Sequence, residues 1–294
     1  MAAVFRRFRL ECSDAITREW LLAEAFDSGA EGAEETEFDG RFRADIYASS
    51  DAVEAVRETL IRCGAEGAWV GSIETAPEVD WSEAWKEGLE AVEISPRLLV
   101  RPPFVLVPER PHQRQIVIDP GQAFGTGGHA STRLCLEWLD LLLLDPAESR
   151  LRAGVLDVGT GSGVLALAAV VLGAERALGF DLDPVAVRAA QQAAEVNEMG
   201  ARVQFFTGPV EAISPQVEPV PLVVANLLKR EVLPLAVEIG ALVAADGRLV
   251  LAGLLEEDMG EVLEAFGEEG FVEIGRRQRA DGLGVWVGAC LARG

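Results

Sequence analysis

Residues 155–163 read Val155-Leu-Asp-Val-Gly159-Thr-Gly161-Ser-Gly163, and an apolar run without a breaker, Val164-Leu-Ala-Leu-Ala-Ala-Val-Val171, follows directly. Val155 to Val158 is short and biased towards β-branched side chains, which predicts a buried strand, whereas the run after Gly163 is rich in helix formers. The stretch therefore encodes a strand, a glycine turn and a helix. Glycines at 159, 161 and 163 permit positive φ and let a ligand approach the main chain without meeting a Cβ. N–H groups at the start of the helix are then available to an anionic or polar ligand group. A tight strand-to-helix turn that binds nothing would use the same residues, so the glycines alone do not establish a ligand.

The next predicted strand, Arg176-Ala-Leu-Gly-Phe-Asp181-Leu-Asp183-Pro184, ends 18 residues beyond Gly163. An acidic residue at the tip of the second strand of a βαβ unit is placed to accept hydrogen bonds from both hydroxyls of a ribose, which implies an adenosine-containing ligand. The nicotinamide dehydrogenase fingerprint is G-x-G-x-x-G, whereas this turn is G-x-G-x-G behind the acidic Asp157. That spacing favours S-adenosylmethionine over NAD. A non-catalytic adenosine-binding module stays open at this point.

The chain has 294 residues, 49% of them hydrophobic, enough for one large or two ordinary domains with real cores. No apolar run reaches the roughly 20 residues needed to span a bilayer and no signal-peptide core is present, so neither membrane nor export is expected and the cytoplasm is. Cys12, Cys63, Cys135 and Cys290 are scattered without C-x-x-C spacing, which suggests buried reduced thiols and neither a metal site nor a disulfide framework. A net charge of −22 argues against a nucleic-acid partner, because phosphate binding needs a clustered cationic face. A basic partner fits better, and solubility alone accounts for the charge equally well.

Phe5 to Leu10 has strand character, Ser13 is placed to cap a helix carrying Ile16, Trp20, Leu21 and Phe26, and Arg41 to Tyr47 alternates like a half-buried strand. With a weak strand near Gly32 to Phe38, a helix over Asp51 to Ile61 and a strand over Ala68 to Ile73, the order is βαββαβ, the ferredoxin-like arrangement. The first 80 residues hold 8 basic and 18 acidic residues and no catalytic constellation. They suit recognition of a basic macromolecule, or a structural or dimerising appendage. Trp81 and Trp85, four apart, share one face of a predicted linker helix, and Pro96 to Pro111 reads as irregular connection.

A second glycine-rich stretch, Ile116-Val-Ile-Asp119-Pro-Gly-Gln-Ala-Phe124-Gly125-Thr126-Gly127-Gly128-His129-Ala-Ser131-Thr132, precedes a long apolar helix, Leu134 to Leu144. Ser131 and Thr132 as helix caps would explain the hydroxyls but not Phe124; a loop folded over a ligand explains both. Asp119 to Leu136, together with residues 155–163, Asp181-Leu-Asp-Pro and Ala225-Asn226-Leu, resembles the ribosomal protein L11 methyltransferase family. The likeness runs over nearly the whole chain, and its one visible departure, Ser131 where the family usually has threonine, keeps the hydroxyl.

Downstream, Val203 to Thr207 and Leu222 to Asn226 read as the third and fourth strands, the latter central in a parallel sheet. Asn226 at its carboxyl end is the polar residue a substrate would meet, although an asparagine there can also simply cap a turn. Gly247 to Gly253 follows as a fifth strand, and Phe271 to Ile274 and Gly284 to Leu291 as a closing pair with an antiparallel last strand. The fold class expected is α/β: a Rossmann-like, seven-stranded S-adenosylmethionine methyltransferase domain (111–294) behind a connection (79–110) and a small ferredoxin-like α+β substrate-recognition domain (1–78). The resemblance implies that Thr132, Gly159, Gly161, Asp181 and Asn226 contact S-adenosylmethionine or line its site, with Phe124 and Thr126 in the loop over it and no metal. It further implies methylation of lysine side chains and the N-terminal amine of a basic ribosomal protein, with Asn226 aiming the amine. A methyltransferase acting on another protein or on a small molecule is the alternative, and a monomer is expected.

Overall fold

A computed structural model describes residues 5–38, 41–64, 67–75, 89–120, 125, 127–213, 218–281 and 284–294. Phe124, Thr126, Trp81 and Trp85 lie outside the described residues. The chain divides into two compact units, Met1–Gly88 and Leu89–Gly294.

The first unit runs β1 (Phe5–Cys12), α1 (Ala15–Asp27), β2 (Gly32–Phe38), β3 (Arg41–Ser49), α2 (Val53–Cys63), β4 (Ala68–Val70) and β5 (Glu74–Thr75). Its antiparallel sheet has the order β2-β3-β1-β4, with the short β5 also pairing with β1. Strand period explains the layering: Phe8, Leu10 and Cys12 are buried in one core with Leu21, Leu22, Val56 and Leu60 of the helices. The alternate residues of β1 pair across strands on the other face, Arg9 with Asp45 at 2.8 Å and Arg43 with Glu11 at 3.0 Å. Glutamates 34, 35 and 37 weaken the strand pattern of β2, which forms at the sheet edge where only one neighbour is required. The cap of α1 is Asp14, whose side chain accepts from Thr17 N at 2.8 Å, and not Ser13.

The second unit opens with a three-stranded sheet, β6 (Val92–Ser95), β7 (Leu98–Arg101) and β8 (Arg114–Val117). This corrects the reading of 96–111 as wholly irregular. Leu98, Leu99 and Val100 are all buried, and a four-residue strand is too short to show alternation before Pro102 ends it. The remaining elements are α3 (Ala130–Leu144), β9 (Val155–Val158), α4 (Val164–Val171), β10 (Ala177–Asp181), α5 (Pro184–Val196), β11 (Val203–Thr207), α6 (Val210–Ile213), β12 (Val220–Asn226), α7 (Lys229–Val232), α8 (Ala236–Ala241), β13 (Val243–Leu255), α9 (Met259–Glu268), β14 (Phe271–Asp281) and β15 (Gly284–Arg293).

Seven of these strands form one sheet, β11-β10-β9-β12-β13-β15-β14, parallel up to β13 and antiparallel around β15. Alternate residues of its central strands enter two separate cores. Val155, Leu222, Val224 and Val250 pack with Leu136, Leu139, Leu167 and Ala190 of α3 to α5, whereas Leu156, Val158, Val223, Ala225 and Leu251 pack with Val232, Ile239, Val262 and Phe266. Both faces of the sheet are thus covered, as a parallel sheet requires. Cys12, Cys135 and Cys290 are buried thiols and Cys63 is half-buried; burial pushes the Cys290 thiol up to about 12. No helix among the described residues is long and apolar enough to cross a membrane.

Candidate active site

Strand order reverses between β9 and β12, which pair in parallel with Val158 opposite Ala225. Residues that follow those two strand ends therefore meet at the switch point, where open α/β sheets bind ligands. At the end of β9, Gly159, Gly161 and Gly163 take φ of +71°, +52° and +80°, a region that L side chains avoid. A Cβ on Gly163 would lie 3.0 Å from Ala190 Cβ and 3.2 Å from its Cα, so the turn needs space there as well as the dihedrals.

Asp181, at the tip of β10, fastens this turn. Its Oδ2 accepts from Gly161 N at 2.9 Å and its Oδ1 from Asp183 N at 3.0 Å. Each carboxylate oxygen has a further lone-pair site, so ribose hydroxyls can still be accepted. Asp157 is wholly buried beneath the turn, where its Oδ2 accepts from Thr160 Oγ1 at 2.7 Å and from Ala166 N at 3.3 Å. Burial pushes its carboxyl up to about 7, the two hydrogen bonds oppose that shift and the charge of Asp181 adds to it.

Helix α3 contributes from the other side. Its cap is His129, whose Nδ1 accepts from Ser131 N at 3.2 Å; Ser131 and Thr132 are not caps but lie within the first turn, 1% exposed. Thr132 Oγ1 accepts from Asn226 Nδ2 at 3.2 Å, joining residues 94 apart in sequence. That bond fixes the amide and leaves Asn226 Oδ1 buried without a hydrogen-bond partner. A buried acceptor left unpaired costs about 1–3 kcal/mol, which a ligand donor would recover.

A cavity of ≈ 470 Å³ brings these groups together: Gly125, Thr132, Gly159, Gly161, Asp181 and Asn226 all line it. Leu182, Val210 and Leu235 supply apolar wall, and Asp183, Glu211 and Glu231 add carboxylates that the sequence reading missed. Glu211 and Glu231 sit on short helices after β11 and β12, where no motif marks them. No described lining residue is basic. The volume suits a cofactor-sized ligand, and the surplus of carboxylates suits one that carries positive charge and hydroxyls.

A family model described as ribosomal protein L11 methyltransferase matches residues 13–287. The chain belongs to the ribosomal protein L11 methyltransferase family. Curated relatives of that name include one from Pelobacter propionicus, 40% identical over 63% of this chain and 59% of its own length, and one from Azotobacter vinelandii, 38% identical over 73% of this chain and 68% of its own. The match thus spans about three-fifths of the length of the first relative. A crystal structure of a ribosomal protein L11 methylase from Lactobacillus delbrueckii subsp. bulgaricus aligns with a TM-score of 0.61 at 27% identity, over 69% of this chain and 98% of that one. The L11 methyltransferase family uses S-adenosylmethionine, and the cavity fits that donor: apolar wall for a purine, Asp181 for a ribose and a surplus of carboxylates for a sulfonium and an ammonium.

Proposed function

We propose that the chain transfers methyl groups from S-adenosylmethionine to lysine side chains and the N-terminal amine of ribosomal protein L11, in the cavity at the ends of β9, β10 and β12. The observation that carries this reading is the Asn226 amide, lining the cavity with its Oδ1 buried and unpartnered. When bound, S-adenosylmethionine supplies an electrophilic methyl carbon, so the protein need only position a neutral amine. A lysine of ordinary pKa, about 10.4, is mostly protonated at neutral pH, and desolvation favours loss of that proton. Asn226 Oδ1, oriented through Thr132, accepts an amine hydrogen and aims the lone pair; it serves as an acceptor without being a strong base. Orientation of this kind contributes up to roughly 7–11 kcal/mol in favourable intramolecular models.

Substrate selection is assigned to residues 1–78, whose excess of acidic side chains complements a basic ribosomal protein, and the cytoplasm is where that substrate is made. The test is incubation of a ribosomal-protein pool with labelled donor and this protein. Label on L11 is expected, and label on small metabolites alone would overturn the assignment.

A further inference from the structure

The glycine turn contains a side chain that the donor reading leaves unused. Ser162 stands between Gly161 and Gly163 and is 2% exposed, yet it does not line the ≈ 470 Å³ cavity. Its hydroxyl donates to Gly125 O at 2.6 Å. Gly125 does line that cavity and belongs to the second glycine-rich stretch, 37 residues earlier. The ends of this stretch are held independently. Before it, Asn197 at the end of α5 clamps Val117, accepting from Val117 N at 2.8 Å and donating to Val117 O at 2.7 Å. Beyond it, α3 is fixed by Trp138, which donates to Gly288 O at 2.8 Å. Between those fixed ends, Ser162 ties the backbone at Gly125 to the turn that faces the donor.

We infer that Ser162 is a positioning residue for donor retention: through Gly125 O it holds one wall of the cavity against the glycine turn, without touching the donor. The inference rests on the donor-site reading of that cavity. A hydroxyl used only for stability would be lost equally from the free and the bound protein. One that also sets the wall shows in the dissociation rate as well as in stability.

The test measures S-adenosylmethionine and S-adenosylhomocysteine binding by calorimetry, their release by stopped flow, and melting of the ligand-free protein, for wild type, Ser162→Ala and Ser162→Thr. Removing one hydrogen bond predicts roughly three- to tenfold weaker binding by Ser162→Ala, carried by faster release, beside a lower ligand-free melting temperature because Gly125 O loses its donor. Threonine restores the hydroxyl. Ser162 also lines a second cavity of ≈ 580 Å³ between β8 and α5, which leaves volume for the added methyl, so Ser162→Thr should bind within about twofold of wild type. Unchanged release from Ser162→Ala, or equal weakening in both variants, overturns the inference while leaving the donor site intact. A wild-type protein that binds neither ligand overturns the donor-site reading and the inference with it.

Discussion

Asp181 serves two structural bonds and one proposed ligand contact, and a single substitution removes all three. Asp181→Ala removes the acceptors for Gly161 N and Asp183 N as well as those offered to a ribose. Hydrogen bonds to charged groups are worth about 1.5–3 kcal/mol each, so calorimetry should show donor affinity lower by roughly tenfold or more in a variant that still folds. Unchanged affinity would remove the ribose from this strand tip. Asn226→Ala should behave differently: kcat falls by about 10²-fold as the amine loses its aim, while donor affinity changes much less. Equal loss in both quantities would make Asn226 a donor contact and not an aiming group. Asp157 provides a pH signature. Its folded carboxyl is protonated to higher pH than the ordinary 3.8, so its favourable contribution is complete below that value and is lost as pH rises towards about 7. Melting temperature of Asp157→Asn minus that of wild type should therefore grow from about pH 5 to about pH 7.5, and a constant difference over that range would contradict the buried, protonated acid.

Among the elements, the glycine turn and β10 were legible in advance because a backbone that needs positive φ and free space leaves glycine in the sequence, and a strand tip that fastens the turn leaves an acid. The strands of the seven-stranded sheet were legible as runs of apolar residues at strand length, whereas their spatial order was not, because no local pattern records which strands pair. Three short strands, β6 to β8, were not legible: four residues cannot display alternation, and neighbouring prolines and arginines imitate a loop. The Thr132–Asn226 bond was also hidden, since no local pattern links positions 94 apart, and only the packing of α3 against β12 brings them together. Gly253 was read merely as the end of a strand. At φ +84° its missing Cβ would stand 2.5 Å from Leu227 O and 2.9 Å from Leu227 N, backbone atoms that no rotamer change can move away. Leu227 N in turn donates to Ala252 O at 3.1 Å. Gly253→Ala should therefore displace the residue after Asn226, lowering kcat by about 10²-fold with strain of about 1–3 kcal/mol visible in melting. Full activity in that variant would show that the end of β12 tolerates a shift.

At the scale of the whole molecule, the division of labour between the two units is what the charge distribution addresses. Attraction between exposed charges weakens as the Debye length shortens from about 10 Å at 0.1 M salt to about 3 Å at 1 M, whereas binding in a lined cavity is screened less. A chain starting at Val79 should bind S-adenosylmethionine almost normally and lose most activity on L11, and binding of the full chain to L11 should fall with salt. If the shortened chain melts cooperatively and methylates L11 at the full rate, the acidity of residues 1–78 serves solubility only. The central claim, that an amine of L11 is methylated where Asn226 awaits a donor, is tested most directly by the intact mass of purified L11 after incubation with S-adenosylmethionine and either the wild-type protein or Asn226→Ala. The account predicts methyl increments on L11 from wild type and nearly none in the same time from the variant; L11 of unchanged mass after incubation with a folded, donor-binding wild-type protein would contradict it.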